Sequence, residues 1–234
     1  MFNPLVSDKY KLICFWNAKC ACGTIKTWFL NLHGTYDWDY SPHAEVSKHS
    51  TAITKHSLSE SPYKDYYKFV VVRNPWKRLV SYYKNKKILM RHKNLNWPIE
   101  RGVPRYSGDI TFREMVNLIS TIPTDRREDH IINQHHGLGG IVFDEIVKIE
   151  NFDADMSVVS KRLNLPVDFD FNTTYHFPPS PVSASQDYVF DKKPLDFDHE
   201  NLPSYEYFYN DELINTVKES YKDDIEAFNF KFLD

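Results

Sequence analysis

"KLICFWNAKCACGTIKTWFLNLH", residues 11–33, decides the fold. Its first seven residues, "KLICFWN" (11–17), form an apolar and aromatic run too short to stand as a helix, and they read as a buried strand. From Thr24 onward, Ile25, Trp28, Phe29 and Leu32 recur at spacings of three and four, one face of a helix that Gly23 or Thr24 caps. A glycine-bearing turn, "AKCACG", joins the two. Such a turn presents unpaired backbone N–H groups at the positive end of a helix dipole, so the stretch predicts a strand, an anion-binding loop and a helix. Lys19 adds a point charge to the loop, and Thr24 adds a hydroxyl.

The same arrangement returns downstream. "KFVVVRN" (68–74) is the clearest strand in the chain, and Pro75 suits the first turn of a following helix with Trp76, Leu79, Val80 and Tyr83 on one side. "DITFREMVNLIST" predicts a helix opened by Asp109 or Thr111. "FDEIVKIE" predicts a third strand ending at Glu150, and "NFDADMSVVSKRLNL" a helix closed by Pro166. Strands alternating with helices predict an α/β fold: three layers, P-loop-like, with a central, mainly parallel sheet flanked by helices. Residues 34–62 are polar and form a surface segment with a short helix near "AEVSKHSTAITKHS". Residues 166–205 carry six prolines and read as an irregular excursion, a candidate substrate lid. At the end of the chain, Leu213, Ile214, Val217, Tyr221, Ile225 and Phe228 make a helical stripe that packs back on the sheet.

The 234 residues suffice for one sizeable core, and residues 1–234 are taken as a single domain. Apolar residues at 41% and charged residues at 26% are ordinary globular usage, which excludes disordered and fibrous classes. A net charge of −3 gives no basis for broad capture of nucleic acid, so an anion must be bound locally. No stretch approaches the ~20 apolar residues of a membrane span, and the N-terminus lacks a basic region leading into an apolar one. A cytoplasmic setting is therefore expected. Cys14, Cys20 and Cys22 lie too close together to staple distant loops, which agrees with a reducing compartment. They are too few for a structural zinc site, and C-x-C is not the C-x-x-C of redox pairs, so they read as small packing residues. The loop also lacks the G-x-x-x-x-G-K-[ST] of nucleoside triphosphatases.

"VVVRNPWKRLVSYYKNK" (70–86) places Arg73 at a strand end and Ser81 two helical turns into the next helix, where both reach one anion. With these residues the chain resembles the sulfotransferases that use 3′-phosphoadenosine 5′-phosphosulfate (PAPS), in particular the Golgi carbohydrate sulfotransferase branch and its bacterial relatives. Arg73-Asn74-Pro75-Trp76-Lys77-Arg78-Leu79-Val80-Ser81 is similar to that family's 3′-phosphate motif. Ala18-Lys19-Cys20-Ala21-Cys22-Gly23-Thr24-Ile25-Lys26 is similar to its 5′-phosphosulfate loop, with Ala18 where relatives have proline and Gly23 where they have a hydroxyl residue. "DHIINQ" (129–134) is similar to an H-x-x-x-Q element of the family, "KIENF" to its strand with a glutamate, and the tyrosine-rich end to its closing helix.

The resemblance implies PAPS as co-substrate, no metal, and transfer of the sulfuryl group to an acceptor hydroxyl, foremost on a carbohydrate. It assigns the phosphosulfate to Lys19, to the backbone N–H groups of Cys22, Gly23, Thr24 and Ile25, and to the Lys26 side chain; the 3′-phosphate goes to Arg73 and Ser81. In-line transfer of this kind is mostly placement plus electrostatic stabilisation, which two anion anchors provide. The acceptor needs a base titrating near the working pH, for which His49, His56 and His130 are the candidates, with Glu45 and Glu150 behind them. A nucleotide kinase would require a GK[ST] loop and a magnesium-holding Asp, and neither is found. A non-catalytic domain of the same fold would be marked by loss of Lys19, Arg73 or Ser81, and all three are present.

Overall fold

The computed structural model describes residues 4–35, 37, 41–46, 58–60, 62–90, 97–102, 109–136, 138–166 and 187–234. In chain order its elements are β1 (Leu5–Ser7), β2 (Leu12–Trp16), α1 (Cys22–Leu32), the single turn α2 (Pro42–Glu45), β3 (Tyr67–Val72) and α3 (Pro75–Tyr82). They continue with α4 (Phe112–Thr121), β4 (Glu145–Lys148), α5 (Phe152–Arg162), α6 (Asp211–Ser220) and α7 (Lys222–Phe228). The chain divides into two compact units, residues 1–73 with 137–176 and residues 74–136 with 177–234.

The first unit holds the sheet, in the order β1-β2-β3-β4. β2 pairs parallel with β3 from Leu12↔Tyr67 to Trp16↔Val71, and β3 parallel with β4 from Phe69↔Glu145 to Val72↔Lys148. The fold is α/β with a mainly parallel sheet flanked by helices, as the alternation predicts. β2 and β3 read as continuous apolar runs because parallel strands are buried on both faces. Leu12, Cys14, Phe69, Val71 and Val147 share one core cluster with Ile25, Trp28 and Phe29 of α1 and Met156 and Val159 of α5. Trp28 is fully buried there, and truncating it to alanine would cost about 3–5 kcal/mol.

Some sequence expectations need correction. β1 was not anticipated; it pairs antiparallel with β2, and three residues are too few to show a period. β4 stops at Lys148, and Ile149–Asn151 form a 3₁₀ turn, so Glu150 lies beyond the strand end. α1 starts at Cys22 with Ala21 as its N-cap, which places Gly23 and Thr24 inside the first turn rather than at the cap.

The second unit is helical. Asn74 caps α3 by accepting from the N–H groups of Trp76 at 3.1 Å and Lys77 at 3.4 Å, with Pro75 at the first helical position. α3 then passes into a π-helix at Tyr83–Leu89 rather than running on as α-helix. α4 opens with a capping box, Thr111 bonding the Glu114 N–H at 3.2 Å while the Glu114 carboxylate takes the Thr111 N–H at 2.7 Å. The closing stripe is two helices, α6 and α7, parted at Tyr221. Aromatic residues make this unit's core: the Phe112 ring meets Tyr83, Phe208 and Tyr209 at centroid distances of 5.4, 5.4 and 5.1 Å. Within the proposed lid, residues 167–186 lie outside the described residues.

Candidate functional site

The first anchor lies between β2 and α1. Lys19 and Ala21 are both left-handed, with φ of 66° and 48°. An L-residue pays about 1–2 kcal/mol for that conformation. Ala21 in the left-handed region followed by the right-handed first turn of α1 sets successive N–H groups on one concave side, the backbone arrangement that receives anions. The glycine, expected to make the turn, sits instead at the second helical position. Ile25 N–H donates to the Ala21 carbonyl at 3.0 Å as the helix's first internal bond. It is thereby engaged, and Cys22, Gly23 and Thr24 supply the N–H groups of the first turn that lie ahead of that bond.

No side chain caps α1, and its first turn holds no acidic residue. Among the described α-helices only α1 and α3, which follow the two sequence motifs, have no acid in the first turn. α2, α4, α5, α6 and α7 carry Glu45, Glu114, Asp153 and Asp155, Asp211 and Glu212, and Asp223 and Asp224 there. Acidic residues near a helix start compensate the dipole, and α1 has neither this compensation nor a capping side chain. Its positive end thus has no charge compensation from its own first turn.

Cations and polar groups gather at the loop. Lys19 is half-buried, and its carbonyl oxygen accepts from Arg73 Nη1 at 3.1 Å, so the residue after β3 is tied to the loop after β2. Asn17 Nδ2 donates to the Val71 carbonyl at 3.2 Å. Thr24 is buried. Lys26, one turn beyond Cys22, is also buried: its ammonium lies 3.7 Å from the Trp16 ring centroid and 2.9 Å from His43 Nδ1. Burial lowers the Lys26 pKa, and the Cys22 thiol acts against that. Trp16 and His43 were not among the expected site residues. The cation–π stacking of a strand-end tryptophan on a lysine ten positions later has no sequence period to betray it.

Ser81 is half-buried near the end of α3 in the second unit. Arg78, four positions into the same helix, is buried and donates through Nη1 to the Ile132 carbonyl at 2.6 Å. His130 is in this unit too. Its Nδ1 lies 2.6 Å from Glu128 Oε1, and its N–H donates to Glu128 Oε2 at 2.9 Å. Burial alone would push the Glu128 carboxyl up, but the bonds and charge of His130 outweigh it and hold the carboxyl below its ordinary value. Glu128 is a further residue that sequence reasoning missed; the pair sits in an irregular loop, where no periodicity marks a partner. His49 and His56 lie outside the described residues. Glu45 and Glu150 are half-buried in the first unit.

A model of the Sulfotransferase family matches residues 3–231, nearly the whole chain. The chain belongs to the sulfotransferase family. It is similar to human carbohydrate sulfotransferase 14, at 26% identity over 195 residues that make up 76% of this chain and 52% of that protein. The chain thus spans about half the length of the curated relative it matches. No solved structure matches it. Among the described residues of this family member, no helix is long and apolar enough to cross a membrane, and no three His, Cys, Asp or Glu side chains are grouped to hold a metal ion.

Proposed function

We propose that the chain is a PAPS-dependent sulfotransferase acting on a hydroxyl of a carbohydrate, with residues 1–234 working as one catalytic domain. The observation that carries this reading is the start of α1: an uncapped, acid-free helix terminus behind left-handed Lys19 and Ala21, in a member of the sulfotransferase family. Such a terminus suits a sulfate or phosphate group. The carbohydrate acceptor is favoured by the similarity to human carbohydrate sulfotransferase 14. A cytoplasmic setting belongs to the same reading, on the ground that Cys14, Cys20 and Cys22 lie too close in sequence to staple distant loops.

PAPS supplies an activated sulfuryl group. Cys22, Gly23 and Thr24 hold its 5′ end through backbone N–H groups, and Lys19 neutralises the charge that gathers on the leaving oxygen. Lys26 adds a buried positive charge to the first turns of α1, braced by Trp16 and His43. Arg73 and Ser81 take the 3′-phosphate, as the motif assigns them. His49, His56 and His130 are the residues from which the base is drawn.

The test is direct. Incubation with PAPS carrying labelled sulfate and a set of glycan and small-molecule acceptors should move label into a glycan fraction. Calorimetry should show binding of 3′-phosphoadenosine 5′-phosphate (PAP). Absence of both label transfer and PAP binding would overturn the reading.

A further inference from the structure

Lys26, one turn beyond Cys22 in α1, keeps only 5% of its surface exposed. A long helical side chain leans back towards the N-terminus of its helix, so the Lys26 ammonium lies over the turn that begins at Cys22. The effect of the Cys22 thiol on its charge agrees with that direction. A buried ammonium costs free energy unless acceptors take its N–H bonds or an electron-rich group faces its charge. Here the Trp16 ring faces the charge, its centroid 3.7 Å away, and His43 Nδ1 lies 2.9 Å from the ammonium nitrogen. His43 reaches this point from α2, a turn held in place independently of the imidazole. Pro42 occupies its first position, Ser41 Oγ accepts the His43 N–H at 3.3 Å, and Val46 is buried in the core cluster that contains Ile25 and Phe29 of α1. His43 itself is exposed.

The contact between Lys26 and His43 decides which imidazole nitrogen carries the proton. An ammonium has three donors and no acceptor, so His43 Nδ1 must offer its lone pair. The face of the Trp16 ring favours the charged amine over the neutral one, against the effect of burial. The imidazole is then the neutral tautomer with its proton on Nε2, where it is a hydrogen-bond donor with no basic lone pair. A histidine in this state is unsuited to taking a proton from a hydroxyl. It suits an anion instead: beside the backbone N–H groups at the head of α1, it adds a side-chain N–H whose bond to a charged oxygen is stronger than one to a neutral acceptor.

We propose that His43 is a further PAPS-binding residue of the loop between β2 and α1, held as the Nε2–H tautomer by Lys26 and donating to an oxygen of the nucleotide's 5′-phosphate. The inference rests on the sulfotransferase reading above. It gives the buried lysine a second task. Besides placing positive charge at the head of α1, Lys26 turns a neighbouring imidazole into a donor, and Trp16 is the positioning residue that keeps Lys26 charged enough to do so.

Calorimetry on the full chain with two nucleotides tests this: PAP, which has the 5′-phosphate, and adenosine 3′-phosphate, which lacks it. His43→Leu should weaken PAP binding about tenfold, as expected for loss of a hydrogen bond to a charged group, and leave adenosine 3′-phosphate within about twofold of the parent. His43→Gln, which keeps an N–H donor and an acceptor oxygen, should hold PAP within about threefold of the parent. Independently of binding, ¹⁵N-histidine labelling of the nucleotide-free protein at about pH 8, above the ordinary histidine value, should show His43 protonated at Nε2 and bare at Nδ1. The His43 signal is identified by its loss in His43→Leu, and Lys26→Met should release the other tautomer. Parent-like PAP binding in His43→Leu would overturn the proposal. So would equal losses for both nucleotides, which mark a merely structural role, and so would a proton on Nδ1 in the parent. Each of these results leaves a PAP-binding sulfotransferase intact. A parent protein that neither binds PAP nor transfers label would remove both readings together.

Discussion

Arg73 Nη1 donates to the main-chain carbonyl of Lys19 at 3.1 Å, so the two residues expected to grip opposite ends of the donor are coupled before any donor is bound. Arg73 therefore shapes the loop as well as offering charge. Arg73→Ala should weaken PAP binding by at least tenfold and also lower kcat, while Lys19→Ala should act mainly on kcat. The double variant should fall short of the product of the two single effects, because residues in one network do not act independently. Calorimetry with PAP and steady-state kinetics would show it; fully multiplicative effects would contradict the coupling.

The left-handed backbone at Ala21 makes a second prediction. Ala21→Gly removes a penalty of about 1–2 kcal/mol and adds unfolded-chain entropy of about 0.5–1 kcal/mol, so it should be neutral or mildly stabilising. Ala21→Val places a β-branched residue at the same φ of 48° and should lower Tm by several degrees together with PAP affinity. Thermal melts of both variants decide it, and equal melting points would refute the strained cap.

Asp224 sets a third. Its carboxylate serves three donors from Gln134 and His135, and Asp224→Ala strands them in a dry interior, which should cost about 2–4 kcal/mol in urea unfolding. Asp224→Asn, retaining one acceptor oxygen, should cost less. In both, hydrogen exchange should quicken at residues 131–135 while α1 remains protected.

Lys87 offers a pH test. It is fully buried, its ammonium bonded to the Trp97 carbonyl; burial pushes its pKa down to about 8, and Glu128 only partly offsets this. The unfolded chain holds that proton up to about pH 10.4. Between about pH 8 and 10 the unfolded state thus binds more protons than the native one, and stability attributable to Lys87 rises with pH by at most about 1.4 kcal/mol per unit. Below pH 8 the contribution is flat. The stability of the parent relative to Lys87→Met should therefore climb across that window. Parallel urea-unfolding curves for the two proteins at pH 7, 8, 9 and 10 would contradict the buried charge. Above pH 10 the buried tyrosines Tyr82 and Tyr83, whose pKa values burial raises, act in the opposite sense.

What the sequence discloses and what it conceals divides along physical lines. β3 and the helix after it are legible because a valine run and Pro75 are local signals. Lys19 and Arg73 are legible as charged residues at the ends of buried strands. Their mutual hydrogen bond is not, since it joins a side chain to a carbonyl across a sequence separation of 54. The strained residues were misplaced because glycine is the expected occupant of a left-handed position, whereas here Lys19 and Ala21 take it and Gly23 is helical. β1 is too short to show alternation, and the π-helix at Tyr83–Leu89 buries Lys86 and Lys87 beside Tyr83 and Ile88, so apolar spacing does not mark its inner face. Glu128 was missed because an acid and a histidine two apart signify nothing until a loop is folded around them.

The pairing of β3 with β4 has a consequence for how the protein is made. The Asp144 carboxylate accepts the Lys68 N–H across a sequence separation of 76, and all of α3, the π-helix and α4 are encoded between the two strands. β2, α1 and β3 leave the ribosome early, but the sheet that supports their loop lacks its last strand until well over half of the chain has been synthesised. Such distant pairing is slow to form. During translation the loop between β2 and α1 is therefore present as sequence long before its scaffold is complete, and that interval is when β3 exposes an unpaired edge to other chains.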